Sequence, residues 1–69
     1  MRQKARVNLI CARKDKQYTQ AELASKLNIT ERQYQRLEAG TSKGSIDVWV
    51  KLKDILRAET IDWLIKQSE

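Results

Sequence analysis

Residues 19–40 read TQAELASKLNITERQYQRLEAG, and two features within them decide how the chain folds. Thr19 is followed three positions later by Glu22, and Thr30 by Gln33. In each pair the hydroxyl can accept from the backbone amide three residues on, while the longer side chain reaches back to the amide of the threonine. That reciprocal arrangement is a capping box, which opens a helix. Two boxes eleven residues apart, each starting an apolar periodic stretch, predict one helix from Gln20 to about Leu27 and a second over about 31–39. Asn28 tolerates left-handed backbone and turns the chain through Leu27-Asn28-Ile29, and Gly40 suits a left-handed cap on the second helix.

Outward from this pair the pattern stays helical. Residues 3–16 predict helix 1, with Ala5, Leu9, Ile10 and Ala12 on an apolar arc, the basic residues largely outside it, and Arg13 awkwardly beside it. The single cysteine, Cys11, falls within this helix and reads as a small buried or half-buried thiol. After the loop Thr41-Ser42-Lys43-Gly44, Ser45 is an N-cap, and Val48, Trp49, Leu52, Ile55 and Leu56 form one wide stripe on helix 4. Thr60 caps a short helix 5 whose Ile61, Trp63, Leu64 and Ile65 exceed what one face of so short a helix buries. Ile61, Trp63 and Ile65 are therefore candidates for contact with a second copy of the chain. With 69 residues, no proline and two glycines, the chain is expected to be all-α, a compact five-helix bundle forming a single domain over residues 1–69. At this size only about 60% of the unfolded surface is buried, so the core must be economical.

The net charge of +5 is unevenly placed. Arg2, Lys4, Arg6, Arg13, Lys14 and Lys16 face only Asp15 in the first sixteen residues, whereas residues 17–69 carry eight charges of each sign. A concentrated basic end suits a polyanion, because each neutralised phosphate releases condensed counterions, although a solvated basic helix has the same composition. No apolar run is long enough to span a membrane, and the charged N-terminus lacks the apolar centre of a signal peptide, so a soluble intracellular protein is expected. There is no histidine, no metal-spaced ligand set and no glycine-rich phosphate loop. Enzyme chemistry, a metal, a cofactor and a small-molecule ligand are accordingly not expected.

The second helix of the pair carries the functional signal. At 100° per residue, Tyr34 and Leu37 lie together on one side. Glu31, Arg32, Gln35 and Arg36 occupy an arc of about 140° on the other, with Gln33 at its edge. Long side chains with planar hydrogen-bonding ends are the groups that read base edges: arginine pairs with guanine, glutamine with adenine, and glutamate accepts from cytosine. An ordinary solvated helix face remains the plain alternative for such a pattern.

The chain resembles the Cro and phage-repressor superfamily of helix-turn-helix proteins, the XRE family. The resemblance rests on Thr19-Gln20-Ala21-Glu22-Leu23-Ala24, Leu27-Asn28-Ile29-Thr30, Arg36-Leu37-Glu38-Ala39-Gly40 and Asp62-Trp63-Leu64-Ile65. It implies a lambda-repressor-like DNA-binding bundle in which helices 2 and 3 form the helix-turn-helix. It further implies Glu31, Arg32, Gln35 and Arg36 as base contacts, and Gln20, Thr30, Gln33 and Lys43 as phosphate or backbone contacts. Arg13 and Glu38 would form a structural ion pair joining helix 1 to the recognition helix. Three positions depart from the family pattern: Gln17 stands where a glycine often ends helix 1, Ala39 replaces an asparagine, and Gly44 lies near a common loop proline. The last implies a more mobile loop around Lys43.

The expected function is that of a sequence-specific transcriptional regulator, a repressor or Cro-like factor. It would bind double-stranded DNA, an inverted-repeat operator, as a homodimer in the cytoplasm of a bacterial or phage-infected cell, associated with the nucleoid. The competing expectation is a protein-interaction module of the same fold, an antirepressor or antitoxin-like partner without specific DNA binding.

Overall fold

The computed structural model describes residues 5–67, and among these there are five helices and no strand. They are α1 (Val7–Asp15), α2 (Gln20–Leu27), α3 (Glu31–Ala39), α4 (Ile46–Leu56) and α5 (Ile61–Ile65). Both capping boxes form as read. Thr19 Oγ1 accepts from the Glu22 amide at 3.0 Å and Glu22 Oε1 accepts from the Thr19 amide at 2.8 Å; the Thr30 and Gln33 distances are 3.1 and 2.9 Å. Asn28 is left-handed (φ 59°, ψ 40°), and the amide of Ile29 reaches back to the Ala24 carbonyl at 3.0 Å. That closes α2 as a Schellman-type end with Ile29 packed on the core, which sets α3 at a sharp turn from α2. Gly40 is left-handed at φ 82° and ends α3 in the same way, the Thr41 amide donating to the Arg36 carbonyl.

Leu9, Leu23, Ala24, Leu27, Tyr34, Leu37, Trp49, Leu52, Leu56 and Leu64 make one core fed by all five helices. Hydroxyl caps at Ser45 and Thr60 start α4 and α5. The α4 stripe is Trp49, Leu52 and Leu56 at its centre, with Val48 and Ile55 half-buried at its margins.

Several expectations need correcting. Helix 1 starts at Val7 rather than at residue 3; the proposed first turn at 3 and 4 lies outside the described residues, together with Arg2. Ala5 and Arg6 are not helical, because the Arg6 amide donates to the Glu38 carbonyl at 2.8 Å and the backbone there is committed to α3. Cys11 is exposed, not buried or half-buried. It lies about 200° around α1 from the buried Leu9, on the side away from the core. On α5, Ile61 and Ile65 are half-buried against the core rather than free, and Trp63 is the large apolar side chain left out, at 44% exposure.

The α3–α4 loop is tied down, contrary to the mobility that its missing proline implies. Trp49 Nε1 donates to the Lys43 carbonyl at 2.7 Å, and Arg6 Nη1 donates to the Ser42 carbonyl at 2.6 Å. Gly44 has φ +69°, and a Cβ there would lie 2.8 Å from Leu37 Cδ2 and 3.0 Å from Trp49 Nε1. Glycine suits this position, where the exposed loop backbone passes against Leu37 and Trp49, for both reasons.

Candidate nucleic-acid interface

The inner side of α3 is fastened by Tyr34, Leu37 and Glu38, all buried. Its outer side presents Glu31, Arg32, Gln33, Gln35 and Arg36, all exposed. Glu31 sits in the first turn, where the exposed amides at the helix N-terminus favour a negative charge. The base-contact candidates Glu31, Arg32, Gln35 and Arg36 are thus brought together on one solvent face. Thr30 and Gln33 are exposed beside them but are already engaged with each other in the cap, leaving the Thr30 hydroxyl proton and the Gln33 Nε2 protons as outward donors. Lys43 is exposed in the loop after α3, its carbonyl held by Trp49.

Glu38 is the hub behind this face. Only 4% of it is exposed, and its carboxylate takes three donors: Arg13 Nε at 2.5 Å and the Tyr34 hydroxyl at 2.5 Å on Oε2, and Gln20 Nε2 at 2.8 Å on Oε1. Arg13 also donates through Nη1 to the Tyr18 carbonyl at 2.7 Å, so one guanidinium joins the end of α1 to α3. Burial acts to lower the Arg13 pKa, but the bond to Glu38 and its charge outweigh that and hold the guanidinium above its ordinary value. Burial, then the bond and charge of Glu38, push the Tyr34 hydroxyl far above the ordinary 10.0, so it stays protonated and donates. Every buried side-chain nitrogen and oxygen among the described residues has a partner. A carboxylate this deeply desolvated requires that satisfaction.

Gln20 therefore has a second occupation besides the phosphate contact expected of it. It is half-buried at the first position of α2, with Nε2 on Glu38 and Oε1 accepting from Gln35 Nε2 at 3.3 Å. One Nε2 proton stays free for an external acceptor.

Arg6 is the residue that sequence reasoning missed, having been counted only as part of the basic end. It is 4% exposed. Its Nη1 donates to the carbonyls of Leu37 (2.7 Å) and Ser42 (2.6 Å), its Nε to that of Ile65 (3.1 Å), and its guanidinium lies 5.1 Å from the Trp49 ring centroid. It caps the end of α3 from another part of the chain while holding the C-terminal end of α5. Desolvation lowers its pKa, which reflects the cost of burying a cation with neutral acceptors only. A signal was present: Arg6 stands at i−3 and i−7 from Leu9 and Arg13, on the inward stripe rather than the solvent face. With Arg6 and Arg13 both spent internally, the basic end offers a polyanion Lys14 and Lys16 among the described residues, both exposed.

A helix-turn-helix family model of the Cro/C1 type matches residues 12–64, spanning α2, α3 and α4 with the C-terminal end of α1 and most of α5. Searches of curated proteins and of solved structures return no match. The matched segment holds both capping boxes, the Asn28 turn, the Gly40 cap and the whole outer face of α3, so the chain belongs to the Cro/C1-type helix-turn-helix family, the XRE family of DNA-binding regulators.

Proposed function

We infer that the protein is an operator-binding repressor or Cro-like regulator that lays α3 in the major groove. The carrying observation is the division of α3 into an inner side locked by Tyr34, Leu37 and Glu38 and an outer side made of Glu31, Arg32, Gln35 and Arg36. A rigidly seated helix with planar, hydrogen-bonding ends facing out is what direct readout of base edges needs. Arg32 and Arg36 take guanines, Gln35 an adenine, and Glu31 a cytosine amino group. Gln20, Thr30, Gln33 and Lys43 grip phosphates and so set register without reading sequence.

The chain acts as a homodimer on an inverted repeat, with recognition helices about 34 Å apart. Support comes from Trp63, exposed on α5 with the outer parts of Ile61 and Ile65 beside it in sequence. Trp63 lines an open groove of about 630 Å³ together with Cys11, Leu56 and Ala58. Among the described residues no helix is long and apolar enough to cross a membrane.

The test is selection of bound duplexes from a random pool at about 150 mM salt, followed by affinity against salt for the winner. The expected product is an inverted repeat with half-sites near one helical turn apart, bound at least about a thousandfold more tightly than random DNA. Recovery of no motif, with binding that vanishes as salt rises, would reduce the DNA affinity to counterion release and favour the protein-interaction module instead.

A further inference from the structure

Gln20 and Gln35 are joined to the buried Glu38 in one directed chain of hydrogen bonds. A carboxylate only accepts, so the end of the Gln20 amide that faces Glu38 must be Nε2, as found at 2.8 Å. The other end, Oε1, can then take only a donor, and Gln35 supplies it through Nε2 at 3.3 Å. Each amide has two chemically different ends, and a solvated glutamine presents either. Here the choice at Gln35, on the exposed face of α3, is transmitted from a charge inside the core. The sequence geometry agrees: Glu31, Gln35 and Glu38 are at i, i+4 and i+7, on the flank of α3 nearest the inner side, while Arg32 and Arg36 lie farther round.

We propose that Glu38 is a positioning residue for base recognition, its carboxylate setting the direction of the Gln20 amide and, through it, the direction in which Gln35 meets a base. The proposal rests on the reading of α3 as the recognition helix. With Nε2 turned toward Gln20, Gln35 keeps its carbonyl oxygen and one N–H for the groove. That edge matches the N6 donor and N7 acceptor of adenine. A glutamine free to swing could also offer its two amide protons to the two acceptors of guanine, O6 and N7. The chain therefore selects adenine over guanine beyond what Gln35 does unaided. It also spares Gln35 part of the rotamer freedom that a mobile side chain loses on binding.

The experiment compares base preference, not affinity alone, because a phosphate contact carries no sequence information. Selected operators and their single-base variants are titrated with the wild-type protein and with Gln35→Ala, Gln20→Leu and Glu38→Gln. Gln35→Ala identifies the base pair that Gln35 reads. Gln20→Leu removes the donor to Glu38 Oε1 but keeps Arg13 and Tyr34 on Oε2, so with its folding checked by circular dichroism it remains informative should Glu38→Gln fail to fold. The expected result is that Gln20→Leu lowers affinity and also collapses the adenine-over-guanine ratio at that one base pair, from at least about fivefold to near unity. Uniform weakening with the ratio unchanged would overturn the relay while leaving α3 as the reading helix. An unchanged profile in Gln35→Ala would overturn it too, since nothing would then be read at the end of the chain. Failure of the wild-type protein to select any motif would sink the functional reading itself. A readout free of DNA is the side-chain amide of Gln35 in the unbound protein, measured by nitrogen relaxation. It is expected to gain picosecond to nanosecond motion in Gln20→Leu, and an unchanged order parameter would overturn the relay directly.

Discussion

Arg6→Ala is expected to be among the most damaging single changes in the chain, although nothing about Arg6 in the sequence marks it as structural beyond its spacing. The structure gives its three carbonyl bonds unequal weight. The bond to Leu37 is buried and is worth about 1–1.5 kcal/mol; those to Ser42 and Ile65 are partly buried, where water can replace the donor, and count for about 0.5–1 each. The Trp49 contact adds about 0.5–1 kcal/mol, and loss of the side-chain stem from a site only 4% exposed adds about 1 more. Relief from holding a cation in a desolvated site offsets part of this, in the direction that the lowered pKa indicates. The net expectation is about 3 kcal/mol. A domain of this size has on the order of 3–10 kcal/mol in all, so the variant sits near the edge of folding, with Tm lowered by about 10–20 °C. Urea and thermal unfolding followed by circular dichroism measure it. Arg6→Met restores the stem but none of the donors and is expected to recover about 1 kcal/mol. An Arg6→Ala loss under about 1 kcal/mol, or an Arg6→Met protein as stable as wild type, would refute the reasoning, because the three carbonyls would then be satisfied without it.

Four further outcomes are expected. Gln17 is left-handed at φ 63°, with the Tyr18 amide bonded to the Arg13 carbonyl, so Gln17→Gly relieves the strain and should raise stability by about 0.5–1 kcal/mol in the same unfolding assays, net of the entropy glycine loses. Gly44→Ala places a methyl group against Leu37 and Trp49 at positive φ, and should cost at least about 2 kcal/mol in urea unfolding. Arg36→Ala should leave the melting temperature within a few degrees but relax preference at one base pair by about 1–3 kcal/mol in an operator-variant titration. The Tyr34 hydroxyl is held protonated in the folded state well above its ordinary 10.0, so its contribution is complete below pH 10 and is lost as the pH rises beyond it, where the unfolded chain releases that proton first. Stability measured from pH 8 to 11 should therefore fall, and the fall should be shallower in Tyr34→Phe.

Local signals carried much of the architecture. The threonine pairs with Glu22 and Gln33 are short-range devices whose hydrogen bonds lie within three residues, so the helix starts at Gln20 and Glu31 could be read directly. The αL ends at Asn28 and Gly40 are local for the same reason, and helical periodicity was sufficient to bring Glu31, Arg32, Gln35 and Arg36 to one exposed face. Apart from Cys11, whose exposure follows from its place two residues after Leu9 on α1, failures occurred where a residue's partner is far along the chain. Arg6 meets carbonyls 31, 36 and 59 residues away, Ile61 and Ile65 are half-buried against a core assembled from other helices, and the Lys43 loop is held by Trp49 and Arg6.

By itself, then, the amino-acid sequence determined where α2 and α3 start and stop, that the chain is all-α, and which side of α3 faces outward, because capping and helical periodicity are set by neighbours a few bonds apart. Only the tertiary structure decided which cations remain available to DNA, which apolar residues stay uncovered, and that Gln20, Gln35 and Glu38 join in one chain. Each of those depends on distant carbonyls, rings and carboxylates arriving at the same place, and charge or hydrophobicity counted along the chain carries no record of that meeting.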